Sequence, residues 1–185
     1  MKSFFRFSTL AGLIALIFLS SCGSTDLSLI NQVKRFEPEW MSLSEKVTFM
    51  DRYLRVTSRR YVEDLQEVDP LISPSNSEAY GLKNQYKTMM DEQTAIATDF
   101  DARKAEFAKA VAEFNEWQNK LMKNKLATEE AAQEFINWQK KEENLATGID
   151  KLQNDLIKNI EKHNSLMRRI ARSLKIYTNY DIRYE

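Results

Sequence analysis

The sequence predicts an all-α protein, a long antiparallel three-helix bundle or coiled coil behind a cleaved N-terminal leader. Three observations predict it. Turn formers are scarce, with four Gly and three Pro in 185 residues, while 29% of the residues are charged; strand proteins of this size need many more turn residues. Apolar residues recur at alternating steps of three and four along three long stretches, the mark of a heptad seam. Two breaks, around Asp69 to Pro74 and Lys123 to Ala127, separate those stretches. The length fits one domain.

The leader comes first. Lys2 and Arg6 precede an apolar run from Phe7 to Leu19, and small residues follow, the layout of a secretory signal peptide. The run is shorter than the roughly 20 residues that cross a bilayer. Leu19-Ser20-Ser21-Cys22 resembles the lipobox of bacterial lipoproteins. The resemblance implies that residues 1–21 are a signal peptide, that Leu19, Ser20 and Ser21 are read by the signal peptidase, and that Cys22 is lipidated. Diacylglyceryl on the thiol and a further acyl chain on the new amino terminus, palmitate being the expected type, would hold the chain firmly. Each buried methylene contributes about 0.8 kcal/mol. Residues 22–28 then form a lipidated N-terminus and short tether. The resemblance further implies, from Gly23 standing where an Asp would favour inner-membrane retention in enterobacterial lipoproteins, the periplasmic face of an outer membrane within a bacterial cell envelope; another membrane or surface exposure stays open. Cys22 is the only cysteine, so no disulfide forms within the chain.

Residues 29–185 are read as the bundle. The first helix, about 29–68, has a seam of Leu29, Val33, Phe36, Trp40, Leu43, Val47, Met50, Leu54, Tyr61, Leu65 and Val68. Pro38 lies off the seam and predicts a kink, or a second helical piece starting near Glu37. Pro70 and Pro74 stop the helix. Ser75-Asn76-Ser77-Glu78 resembles a capping box opening a second helix over 75–124, whose seam runs from Ala79 to Leu121 through Gln93 and Arg103. Thr128 reads as the cap of a third helix, about 128–177, with Glu129 and Glu130 at its positive end. Its seam runs from Ala131 to Tyr177, with a stutter between Leu156 and Ile160 and a bend or split near Gly148. Residues 178–185 form a tail.

Short turns make neighbouring helices antiparallel, so the start of the first helix shares an end with the turn between the second and third. Lys120, Lys123 and Lys125 are therefore candidate membrane contacts through anionic headgroups; a solvated lysine-rich turn is the ordinary alternative. The far end collects Arg52, Arg55, Arg59 and Arg60 from the first helix and Arg168, Arg169, Arg172 and Lys175 from the third. Arg59, Arg60, Arg168, Arg169 and Arg172, with the tail residues Tyr177, Tyr180 and Tyr184, are candidate partner-binding groups, since Tyr and Arg dominate binding hot spots. Acids nearby, among them Glu63, Asp64, Glu67, Asp91 and Glu92, would make this an ordinary salt-bridged surface, and the tail would then pack back on the tip.

Removing Lys2 and Arg6 with the leader leaves 25 basic against 27 acidic residues, a net of −2. That offers no pull toward nucleic acid. His163 is the only histidine and falls on the buried seam, so no ordinary zinc site, Glu-x-x-His metal bundle or Ser-His-Asp arrangement is expected. Catalytic residues, metals and cofactors are accordingly none. Gln93, Arg103 and Glu142 interrupt the seams and are read as register-fixing polar residues, with Gln93 opposite Asn159 in one polar layer. The expectation is a membrane-anchored, non-enzymatic scaffold, adaptor or tether for an unknown envelope protein or cell-wall polymer. The alternative is a lipid or small-ligand carrier using a groove between helices. Self-association through a second apolar stripe including Leu126 and Ile136 is a third reading.

Overall fold

The computed structural model describes residues 27–123, 126–176 and 180–183. Leu19, Ser20, Ser21 and Cys22 lie outside the described residues, as do Lys125, Tyr177 and Tyr184. Three helices make the fold: α1, Leu27–Val68; α2, Ser77–Met122; and α3, Thr128–Leu174, with a 3-10 turn at Asp69–Leu71 after α1. They hold 42, 46 and 47 residues, about 63 to 70 Å each at 1.5 Å per residue. Among the described residues there is no strand.

The arrangement is the up-down-up bundle that the short turns predict. Near one end Phe36 of α1 packs edge-on against Phe114 of α2 and Phe135 of α3, with centroids at 6.0 and 5.5 Å. Near the other, Tyr61 of α1 meets Tyr86 of α2 at 6.3 Å and stacks on His163 of α3 at 4.4 Å. α1 and α3 are thus parallel, and α2 runs against both.

The buried positions of α1 are Leu29, Val33, Phe36, Trp40, Leu43, Val47, Met50, Leu54, Thr57, Tyr61, Asp64 and Val68. The alternation of four and three is unbroken, and it passes through Thr57 and Asp64. This corrects the seam read from apolar residues, which skipped Thr57 and took Leu65, a half-buried residue, in place of Asp64. No second helix begins near Glu37: Pro38 sits exposed inside one continuous helix. An interior proline removes a backbone hydrogen bond, and the burial of Phe36 and Trp40 on either side of it supplies the apolar contact that holds the helix through that point.

α2 is capped one residue later than the capping box implies. Asn76 Oδ1 accepts from Ala79 N at 3.1 Å, whereas Ser75 bonds Ser73 within the proline-rich turn at 2.8 Å. At α3, Thr128 is the first helical residue and not the cap; Ala127 holds that position without a side-chain bond, and Glu129 and Glu130 fill the first turn. α3 continues through Gly148 without a split. A Cβ there would lie 3.3 Å from Arg103 Nε. Glycine leaves the passage by which Arg103, on the α2 seam, extends past α3 to pair with Glu106 at 2.9 Å, its stem snorkelling outward.

Two apolar cores result. The longer joins Leu29 to Leu54, Phe100 to Leu121 and Ala131 to Ile160; the other joins Tyr61 to Ile72, Ala79 to Met89 and Leu166 to Tyr180. Buried polar groups lie between them. Gln93 Nε2 donates to Thr57 Oγ1 at 2.7 Å, and Asn159 Nδ2 donates to the Met89 carbonyl at 3.0 Å. Gln93 and Asn159 therefore find partners on other groups and not on each other, because Thr57, which the apolar count skipped, supplies the acceptor.

Helix α3 ends at Leu174, three residues earlier than the pattern suggests. Ile176 N donates to the Ala171 carbonyl at 2.9 Å and Lys175 N to the Arg172 carbonyl at 3.2 Å, the two bonds of a Schellman turn. Lys175 takes the left-handed conformation, φ 57°, and the chain reverses.

Candidate functional site

The turn at Lys175 sends the tail back beside α3, and residues 180–183 lie along the trough between α1 and α3. Asn164 holds both backbone groups of Ile182: its Oδ1 accepts from Ile182 N and its Nδ2 donates to Ile182 O, each at 2.8 Å. His163 Nε2 meets the Tyr180 carbonyl at 3.2 Å. The Tyr53 hydroxyl of α1 donates to the Arg183 carbonyl, and Arg168 pairs with Asp181 at 3.1 Å. Tyr180 is 2% exposed. That corrects its standing as an exposed docking residue: its ring is part of the core at this level, so residues 180–183 pack back on the bundle.

Beneath the strap lies a buried polar cluster. His163 and Asp64 are both buried, with His163 Nε2 3.2 Å from Asp64 Oδ2. Arg60 Nε approaches Asp64 Oδ1 at 2.9 Å, its side chain 43% exposed and so reaching the carboxylate from the rim. Neither contact is aligned as a hydrogen bond: Arg60 meets the carboxylate as an ion pair from the rim, and the imidazole lies beside it in close contact. The Tyr86 hydroxyl donates to the Tyr61 carbonyl at 2.9 Å and lies 3.0 Å from His163 Nδ1. Both ring nitrogens thus face oxygens. Burial pushes the Tyr61 phenol well above its ordinary range, and burial with the nearby Asp64 charge does the same for Tyr86, so both stay protonated. Asp64 was expected on the surface among exposed ion pairs; its place in the heptad puts it inside.

The arginine groups are at the same end but not at one level. Asp64 facing His163 fixes the alignment of the parallel helices, which leaves Arg168 about 13 Å further along the axis than Arg60. Arg55 pairs with Asp51, Arg59 with Glu63 at 3.5 Å, Arg60 with Asp64 and Arg168 with Asp181. Arg52, Arg169 and Arg172 are exposed, and no ion pair holds them among the described residues. This end of the bundle is a surface of mixed charge, with Arg169 and Arg172 an unpaired cationic edge on α3 among the described residues.

At the other end, α2 and α3 open into a groove of about 570 Å³ floored by Trp117, Trp138 and Leu126 and rimmed by Glu113, Glu116, Glu130 and Glu134. Lys141 bonds Glu113 at 2.8 Å and lies over the Trp138 ring, 4.9 Å from its centroid. That hydrogen bond holds the Glu113 carboxyl below the usual carboxylate range. Lys120 pairs with Glu116 at 2.7 Å, which raises its ammonium above the ordinary value. Lys123 is exposed at the end of α2. Below the floor, Phe36, Trp40, Phe107, Phe114, Trp117, Phe135 and Trp138 form an aromatic stack with centroids 5.3 to 6.4 Å apart, contacts that each add roughly 0.5 to 1.5 kcal/mol beyond burial.

Among the described residues no group of three His, Cys, Asp or Glu side chains is placed to hold a metal ion, and no helix is long and apolar enough to cross a membrane. No family model, curated protein or solved structure matches the chain. Sequence reading missed Asp64 and Asn164. Asp64 was findable, since it lies three residues beyond Tyr61 and four before Val68 on the seam; Asn164 had no such signal, because its role depends on where the tail returns.

Proposed function

We propose that the chain is an exported bacterial lipoprotein, cut before Cys22 and anchored in the cell envelope by lipid on that thiol, whose bundle acts as a non-enzymatic scaffold, adaptor or tether. The lipobox-like Leu19-Ser20-Ser21-Cys22 behind its short apolar run carries this reading. The bundle supports it. α1 begins at Leu27, five residues after Cys22, so the tip with its strap and arginines would stand about 60 Å from the anchor. Closely packed cores favour a scaffold over a lipid carrier, and the groove between α2 and α3, rimmed by four glutamates, is a poor lining for acyl chains. The partner is an envelope protein or a wall polymer meeting the tip.

Metabolic labelling with an alkyne fatty acid tests the anchor. Label on the parent and none on Cys22→Ala, which keeps its leader, is the expected result; equal label on both would overturn it. Crosslinking and purification from the envelope then test the scaffold. A protein or wall fragment retained by the parent is expected, whereas copurifying lipid with no macromolecular partner would favour the carrier.

A further inference from the structure

We infer that residues 180–183 form an exchangeable strap, and that the trough between α1 and α3 accepts the same segment from a second copy of the chain. Most of the grip is on the main chain. Asn164 reads the amide and carbonyl of Ile182, His163 the carbonyl of Tyr180, and Tyr53 the carbonyl of Arg183. Two side chains add selectivity: Tyr180 fills a buried site in the core, and Asp181 meets Arg168. A second copy carries every one of these atoms, so the trough holds its segment by identical contacts.

The hinge supplies the reason to exchange. To reach its own trough the chain must reverse at Lys175, a non-glycine residue held left-handed at φ 57°. A tail passing to a neighbour has no such reversal to make, and Lys175 can then continue in the right-handed geometry of α3. A left-handed non-glycine residue shifts an equilibrium by roughly five- to thirty-fold, a bias that acts only against the closed form. Strained hinges beside a terminal element are a recognised route to swapping. The exchange suits copies meeting tip to tip and antiparallel, because a tail that continues along the direction of its own α3 then enters the neighbour's trough in the sense that residues 180–183 take in their own.

Two differently tagged full-length copies, co-expressed, test this, one of them carrying a photo-reactive residue in place of the exposed Arg183. Adducts between the two tags, mapped to the Tyr53 region of the receiving copy, are expected. Asn164→Ala in the receiving copy should cut them several-fold, and Lys175→Gly in the donating copy should cut them by about five-fold. Adducts confined to one chain would overturn the inference, as would between-tag adducts indifferent to Asn164→Ala. The adduct is read on the polypeptide alone, so failure here leaves the anchoring proposal untouched, and failure of that proposal leaves this one untouched.

Discussion

His163 of α3 and Asp64 of α1 meet at 3.2 Å with both side chains buried, and the contact fixes how the two parallel helices align. Removing one partner from such a site strands the other. Asp64→Ala leaves the buried His163 without its carboxylate, while Arg60, 43% exposed, can turn to solvent, and should destabilise the bundle by about 1 to 3 kcal/mol. Urea denaturation followed by circular dichroism measures this; a loss under about 1 kcal/mol would show that the pair contributes little.

Alkaline pH should act through Tyr61 and Tyr86. Their folded-state values are raised above the ordinary phenol value of about 10. The folded state therefore keeps protons that the unfolded state releases. The contribution is complete below pH 10 and is lost as pH climbs from there toward the folded-state values, by up to about 1.4 kcal/mol per unit for each phenol. Absorbance at about 295 nm should show two of the seven tyrosines ionising only as helicity collapses. Seven ordinary titrations with the fold intact would contradict this.

Lys175→Gly should stabilise the chain by about 1 kcal/mol, since glycine takes the left-handed position of a Schellman turn without the Cβ penalty. For a chain of this size that corresponds to a rise in Tm of roughly 2 to 4 °C. An unchanged Tm would mean that the reversal at Lys175 carries no strain.

The two described helical glycines should respond differently to alanine. Nothing lies within 4 Å of a Cβ on Gly81, whereas one on Gly148 meets Arg103 at 3.3 Å. Gly81→Ala should gain about 1 kcal/mol from helix propensity. Gly148→Ala should gain less, and should recover the difference in an Arg103→Ala background. A double-mutant cycle reads that coupling directly; additivity would show that Arg103 does not need the space.

The helices were legible because periodicity is a property of the residues alone. Leu29 through Leu54 could be counted from the sequence, and so could the turns at Pro70 and Leu126. The count failed at Thr57 and Asp64, where it treated polarity as absence from the seam. Heptad position puts Thr57 and Asp64 inside although they are polar, where the longer Arg103 at a seam position reaches out to Glu106, and Gln93 and His163 across the interface are what make those two tolerable. The caps were misplaced by a residue, since Ser75, Asn76 and Thr128 all have capping side chains and only the local path decides which one turns toward a free amide. The strap was illegible. Its docking depends on a reversal at a lysine, where glycine would have signalled it.

The layer formed by Thr57, Gln93 and Asn159 divides the interior into two cores, and cooperativity need not pass undiminished across it. The tip core, closed by the strap, can open and reclose while the aromatic trunk below stays folded, in the manner of separate foldons. Amide hydrogen exchange would then resolve two opening energies in what looks like one uniform rod.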